Sequence, residues 1–255
     1  MDLMLAGKIA LVAGGARGCG LAISQELARE GVKVVLTGRQ ADIVEAAVKS
    51  IRDAGGQAEG FIGEMDSEEG ARAMVQRTRD TFGEPGILVF NPPSPRLADG
   101  WDNIELADYD DSHRKFTMAL VYLLREMVPH MKASRWGRVI NVSSIVKTPH
   151  LHSPMYHHNT RVASVSITKT LSFEMARFGI TANSIAPGAF RSALSAEYLG
   201  RLGQTEEVIE TGTPMARMGL PEEMAGLVAF LCSDRASFIS GETIRVDGGA
   251  SLSLF

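Results

Sequence analysis

The sequence has few cysteines and no long apolar run, and each of these features excludes a class of protein as an interpretation. Its two cysteines, Cys19 and Cys232, have neither metal-ligand nor redox-motif spacing. No apolar stretch is long enough to span a bilayer, and the N-terminus lacks the pattern of a secretory signal. We therefore expect a cytoplasmic protein with no membrane partner.

The sequence also lacks a marked excess of charge of one sign, since the formal net charge is −4 over 255 residues. Without a basic stripe to neutralise phosphates along a duplex, nucleic acid is not expected as a partner. No internal repeat or low-complexity linker interrupts the chain, and its length suits one hydrophobic core. We predict a single domain over residues 1–255.

Short β-branched runs alternate with longer amphipathic stretches, a pattern typical of a parallel sheet with helices on both faces. We therefore predict a Rossmann-like, doubly wound α/β fold. The seven predicted strands cover residues 9–12, 32–36, 57–62, 87–90, 138–142, 181–185 and 243–246. Two irregular stretches, 92–102 and 189–213, follow strand ends, where open α/β sheets bind ligands, so we expect them to wall a small-molecule substrate site.

A glycine-rich segment at residues 14–20, GGARGCG, lies between the first predicted strand and a helix that we expect to begin near Leu21. Glycine lets the backbone turn tightly and approach a pyrophosphate without a Cβ in the way. The helix N-terminus then faces the phosphates with unpaired N–H groups and the positive end of its dipole. The segment therefore indicates a dinucleotide site.

The pattern Gly14-x-x-x-Gly18-x-Gly20 resembles the glycine motif of the short-chain dehydrogenase/reductase family. Further segments match that family in order along nearly the whole chain: Asn91, Asn141-Val142-Ser143-Ser144, Ala186-Pro187-Gly188 and residues 239–249. The sequence is most similar to the branch called 3-oxoacyl-acyl-carrier-protein reductase-like. The resemblance implies a bound nicotinamide dinucleotide and a homotetramer or homodimer.

Charge at the end of the second strand favours NADP(H) and makes NAD(H) the less favoured cofactor. Gly38 stands where similar NAD-binding proteins carry an acid for the ribose hydroxyls. Arg39 and Arg17 could instead clamp a 2′-phosphate, because a guanidinium pairs well with phosphate oxygens. The alternative is that both arginines are only solvated.

The resemblance implies further contacts along the cofactor. It puts Glu64 and Met65 at the adenine, Pro187 and Gly188 along the nicotinamide, and Ser192 at the carboxamide. Pro92 and Pro93 replace the family's Ala-Gly after Asn91, which removes a backbone donor. The predicted cofactor residues are Gly14, Ala16, Arg17, Gly18, Cys19, Gly20, Arg39, Glu64, Met65, Asn91, Arg161, Pro187, Gly188 and Ser192.

The catalytic positions depart from the family pattern, in which a tyrosine follows a serine by thirteen residues and a lysine follows the tyrosine by four. The same spacings here select Ser144, His157 and Arg161, and Phe116 stands at the position of a fourth family residue, an asparagine. Tyr156 is the rival proton donor, but five residues separate it from Arg161, about 140° around a helix.

Each of these residues has a role that fits its chemistry. The imidazole of His157 can act as acid and base near neutral pH, and a nearby guanidinium would lower its pKa. Arg161 could bind the nicotinamide ribose but cannot transfer a proton. Ser144 would polarise a substrate oxygen. No metal is predicted, because no Cys, Asp or Glu accompanies His150, His152, His157 and His158 in their stretch.

Three functions stay open from the sequence. The favoured one is an NADP(H)-dependent oxidoreductase that interconverts a carbonyl and a secondary alcohol through an atypical Ser-His-Arg site. The second is a non-redox enzyme on the same scaffold, such as a lyase or a dehalogenase-like protein. The third is a catalytically silent dinucleotide-binding protein, because fold alone does not decide function.

Overall fold

The computed structural model describes residues 2–92, 101–144, 155–192, 195–196, 199–200 and 205–252. Its centre is a seven-stranded sheet in the order β3-β2-β1-β4-β5-β6-β7, with every neighbouring pair parallel. The strands are β1 (Ile9–Ala13), β2 (Lys33–Gly38), β3 (Gln57–Ile62), β4 (Ile87–Phe90), β5 (Gly137–Val142), β6 (Ile180–Pro187) and β7 (Thr243–Val246). This confirms the predicted doubly wound fold.

Helices cover both faces of this sheet. They are α1 (Gly18–Arg29), α2 (Ala41–Asp53), α3 (Glu68–Phe82), α4 (Leu106–His113), α5 (Ala119–Ser134), α6 (Met155–Met175), α7 (Glu206–Gly212) and α8 (Pro221–Cys232). Apolar side chains of α1, α2 and α8 form one core with the sheet, and those of α3, α5 and α6 form a second core on the other face. Of the helices in the described ranges, none is long and apolar enough to cross a bilayer.

The central strands are apolar on both sides because helices cover both faces of the sheet. Every residue of β4, for instance, is buried. The two cysteines lie in α1 and α8, and Cys232 is fully buried. The start of α1 differs from the prediction, since it begins at Gly18 instead of near Leu21. Gly18 has a φ of +54°, a left-handed conformation that glycine adopts without strain.

A π-helical turn, Arg114–Met118, joins α4 to α5. The sequence did not predict this wider turn. In this turn Phe116 is 1% exposed and Thr117 is also buried. Turns of this kind are frequent at functional sites. The turn packs against α6, and so it lies next to the predicted catalytic residues.

A buried charge, Arg138, interrupts the apolar pattern of the strands, and it is 2% exposed in the first half of β5. Its Nη2 donates to Asp234 at 2.9 Å, and its guanidinium lies 4.6 Å from the ring centroid of Trp136. The indole Nε1 of Trp136 also donates to Asp234, at 2.8 Å. This cluster lies toward the amino ends of the strands and ties β5 to the segment that follows α8.

Candidate functional site

A cavity of about 630 Å³ opens at the carboxyl ends of the strands, where the strand order reverses between β1 and β4. Ligands bind at this point in open α/β sheets. All but one of the predicted cofactor residues line it. They are Gly14, Ala16, Arg17, Gly18, Cys19, Arg39, Glu64, Met65, Asn91, Arg161, Pro187, Gly188 and Ser192.

The exception, Gly20, lies behind the glycine-rich loop. A Cβ on Gly20 would be 2.1 Å from the carbonyl oxygen of Gly14, so only glycine lets α1 pack this closely under the turn. The hydroxyl of Ser24 donates to the carbonyl oxygens of Gly15 and Gly20, at 3.1 and 3.0 Å, and fixes the loop to the helix. The role of Gly20 in the structure is close packing.

The start of α1 is suited to an anion. No side chain caps the helix at Arg17, and its first turn contains no acid. The first-turn N–H groups are therefore left to the cavity, together with the positive end of the helix dipole. At the adjoining turn, the N–H of Gly14 donates to Thr37 Oγ1 at 3.0 Å, which orients the loop. A phosphate fits this cradle, since its oxygens would accept from bare amides.

Two exposed arginines, Arg17 and Arg39, line the same end of the cavity, and neither forms an ion pair with a residue that the structure describes. Beside them, a Cβ on Gly38 would lie 2.8 Å from Val44 Cγ2 and 3.1 Å from Ala16 Cβ. An acid at position 38 would thus require its neighbours to move. The absence of that acid therefore has a packing reason as well as an electrostatic one.

Arg161 lies at the other end of the cavity and is 7% exposed. Its Nη1 donates to the carbonyl oxygens of Ser143 at 2.6 Å and Val142 at 3.4 Å. Its guanidinium lies 4.7 Å from the ring centroid of Phe116, and within the described residues its Nε–H has no acceptor. Burial lowers the pKa of Arg161 to about 10. The group is still charged at neutral pH, so it can donate hydrogen bonds but cannot act as a base.

The other predicted catalytic residues lie near Arg161, but among the described residues they are not part of the cavity wall. Ser144 is partly buried two residues beyond the end of β5, and His157 is partly buried in the first turn of α6. The ring of His157 meets that of Phe116 edge-on, with centroids 6.4 Å apart. Tyr156 is fully buried, and its carbonyl oxygen accepts from Thr160 Oγ1 at 2.6 Å.

Several parts of the sequence prediction fall outside the described residues. Residues 145–154, which connect Ser144 to α6, belong to this group, and they include His150 and His152. In the first predicted substrate wall, residues 93–100 also lie outside the described residues. In the second wall, Phe190 and Ser192 line the cavity.

Among the described residues, sequence reasoning missed five polar residues of the cavity wall, namely Thr37, Gln40, Asp66, Lys115 and Ser143. Lys115 lies in the π-helical turn, where its Nζ donates to Asp111 at 2.8 Å. Ser143 is buried, and its hydroxyl donates to the carbonyl oxygen of Arg161 at 3.4 Å. For two of these residues the only signal in the sequence was position. Lys115 precedes Phe116, and Ser143 precedes Ser144.

Known proteins resemble the chain over its whole length. The family model described as enoyl-(acyl carrier protein) reductase matches residues 14–251. The 3-oxoacyl-acyl-carrier-protein reductase of Aquifex aeolicus is 30% identical over 98% of this chain and 99% of its own length. Dehydrogenase/reductase SDR family member 4 of Oryctolagus cuniculus is 32% identical over 96% of this chain and 94% of that protein.

Among solved structures, L-sorbose reductase of Gluconobacter frateurii, complexed with NADPH and L-sorbose, superposes with a TM-score of 0.93. The two chains are 31% identical, and each is covered completely. Together with the glycine-rich turn and the site at the strand ends, these matches confirm the resemblance inferred from the motifs. The chain belongs to the short-chain dehydrogenase/reductase family.

Proposed function

We propose that the chain is an NADP(H)-dependent oxidoreductase that interconverts a carbonyl and a secondary alcohol through Ser144, His157 and Arg161. The observation that carries this proposal is the cavity, which has the glycine-rich loop, Arg17 and Arg39 at one end and Arg161 at the other. A dinucleotide with a 2′-phosphate fits those charges. L-sorbose reductase, which is similar over its full length, is complexed with NADPH, and this supports the choice of cofactor.

Bound NADPH would supply the hydride that the reduction requires. His157 would hold the proton that the carbonyl oxygen receives, since imidazole exchanges protons near neutral pH. Ser144 would donate a hydrogen bond to the same oxygen, and Arg161 would donate to the ribose hydroxyls at the nicotinamide end. The buried Tyr156 has no part in this scheme. The reverse reaction would use His157 as the base that removes the alcohol proton.

Direct measurements test the cofactor first and the chemistry second. Titration of the purified protein by calorimetry should give a lower Kd for NADPH than for NADH. NADPH consumption should then be followed by absorbance with a panel of ketones that includes L-sorbose and a 3-oxo ester. His157→Ala should lower kcat by about 10²–10⁴-fold, the usual contribution of a general acid. Tyr156→Phe is the matched control and should change kcat less than about threefold.

Each failure of this experiment has a distinct meaning. Conversion of a substrate with unchanged nicotinamide absorbance would favour a non-redox enzyme. Binding of NADPH with no turnover on any carbonyl would favour a silent binding protein. Loss of turnover in Tyr156→Phe but not in His157→Ala would move the proton donor to Tyr156. The proposed assembly is a homotetramer or homodimer, which sedimentation would measure.

A further inference from the structure

Phe116 contacts the other two positions at which this chain departs from its family's catalytic pattern, His157 and Arg161. The Arg161 guanidinium lies over the face of Phe116 at 4.7 Å, and the His157 ring meets Phe116 edge-on at 69°. His157 and Arg161 are four residues apart on α6 and so share a face of that helix. Phe116 reaches this face from the π-helical turn between α4 and α5.

We propose that Phe116 is a positioning residue that holds the guanidinium of Arg161 on its face and the imidazole of His157 at its edge. This inference rests on the proposed function, in which those two groups contact cofactor and substrate. Phe116, His157 and Arg161 then form one unit, in which the aromatic ring orients both polar groups.

The electrostatics of Arg161 require such a partner. The guanidinium is buried, and within the described residues no carboxylate pairs with it and no acceptor meets its Nε–H. Its Nη1 is held by the carbonyl oxygens of Val142 and Ser143 on one side. The negative face of an aromatic ring attracts a desolvated cation, so Phe116 stabilises it on the other side. An asparagine at 116 would offer no such face.

The ring itself is held in place by a set of hydroxyl contacts around Thr160, the residue before Arg161. Thr160 Oγ1 lies 3.2 Å from Ser112 Oγ in α4, and the Thr160 carbonyl oxygen accepts from Thr117 Oγ1 at 3.4 Å. All three of these residues are buried. The turn that carries Phe116 is therefore fastened to α6, and the ring cannot slide along the helix without breaking these bonds.

A pair of substitutions at 116 separates positioning from packing. Phe116→Leu keeps an apolar side chain but removes the ring, whereas Phe116→Tyr keeps the ring face. With saturating NADPH and carbonyl, Phe116→Leu should lower kcat at least about tenfold and shift the pH profile of kcat. Phe116→Tyr should stay within about threefold of the unmodified protein. Phe116→Met serves in place of Phe116→Leu if the latter does not fold, as judged by near-UV circular dichroism.

Nuclear magnetic resonance gives a readout that does not require turnover. The Nε–H signal of Arg161 should exchange slowly with solvent in the unmodified protein and in Phe116→Tyr. In Phe116→Leu it should exchange at least about tenfold faster, and the His157 ring-proton shifts should move. Equal exchange rates and equal pH profiles in folded Phe116→Leu would overturn the positioning role. Absence of NADPH turnover in the unmodified protein would instead overturn the proposed function and leave the exchange experiment valid.

Discussion

The side-chain amide of Asn91 donates to the carbonyl oxygen of Gly14 at 2.9 Å and so joins the turns that follow β4 and β1. The two backbones lie so close that a Cβ on Gly14 would be 2.0 Å from the carbonyl oxygen of Asn91. Because β1 and β4 are neighbours at the point where the strand order reverses, this contact forms the floor of the cavity.

Gly14→Ala should therefore abolish NADPH binding and lower the free energy of unfolding by about 2 kcal/mol or more. The substitution combines a backbone clash with a φ of +79°, which an L side chain rarely adopts. Gly55→Ala is the matched control, since φ is +85° there but nothing lies within 4 Å of the added Cβ. It should cost about 1 kcal/mol and leave the Kd for NADPH unchanged. Calorimetry measures the Kd for NADPH, and urea unfolding measures the free energy of unfolding. Unimpaired NADPH binding by Gly14→Ala would contradict a phosphate site at the glycine-rich loop.

The preference for NADPH should depend on Arg39. Arg39→Ala should raise the Kd for NADPH about tenfold or more and leave the Kd for NADH nearly unchanged, because a lost guanidinium–phosphate pair costs about 1.5–3 kcal/mol. Arg29→Ala removes an exposed arginine at the far end of α1 and should change neither Kd. An equal loss of affinity for both nucleotides would show that Arg39 does not contact the 2′-phosphate.

Gly38→Asp, the obvious change toward NADH, should fail when made alone. The added Cβ would lie 2.8 Å from Val44 Cγ2, so the side chain of Val44 must shift before the carboxylate can be seated. Gly38→Asp combined with Val44→Ala removes that obstacle, and the double variant should bind NADH more tightly than Gly38→Asp alone. Tight NADH binding by Gly38→Asp alone would show that the side chain of Val44 shifts at little cost in free energy.

Cys19 should react slowly with thiol reagents, and NADPH should protect it. Burial is the main reason that the pKa of Cys19 rises to about 11, and the thiolate is the reactive form. The rate of alkylation by iodoacetamide should thus increase about tenfold per pH unit through neutral pH up to about pH 11. Cys232 is fully buried and its pKa is raised to about 12, so Cys19→Ser should abolish labelling of the folded protein. Rapid labelling at pH 7, or labelling unaffected by NADPH, would contradict the position of Cys19 in the cavity wall.

Asp234→Ala should destabilise the protein without changing cofactor binding. It leaves the buried guanidinium of Arg138 without its carboxylate, and we expect the free energy of unfolding to fall by about 2 kcal/mol because Asp234 is itself partly exposed. The Kd for NADPH should stay the same, since the Arg138 cluster lies toward the amino ends of the strands and the cavity lies at their carboxyl ends. Asp53→Ala removes the partner of Lys49 in an exposed ion pair and should cost less than about 0.5 kcal/mol. A similar small loss in both variants would show that Arg138 needs no counter-charge.

The strands were the most predictable part of the molecule, because each is a short apolar run buried on both faces. All seven agree with the predicted ranges to within two residues at either end. The start of α1 was less predictable, since Gly18 has low helix propensity and its φ of +54° lies outside the helical region. The sequence also could not distinguish the role of Gly20 from that of Gly14. Both glycines belong to the same turn, which they contact from opposite sides. The extent of the single domain stays a prediction.

The sequence by itself determined the alternation of strands and helices and the glycine-rich turn, because each of these depends on neighbouring residues, and it indicated the family through short motifs that follow in order along the chain. The tertiary structure alone decided which distant groups meet. It brought Phe116 against Arg161 and His157, and it placed Lys115 and Ser143 in the cavity wall. The physical reason is that these contacts join residues far apart in the chain, through a π-helical turn and a helix crossing whose geometry depends on the packing of the whole core.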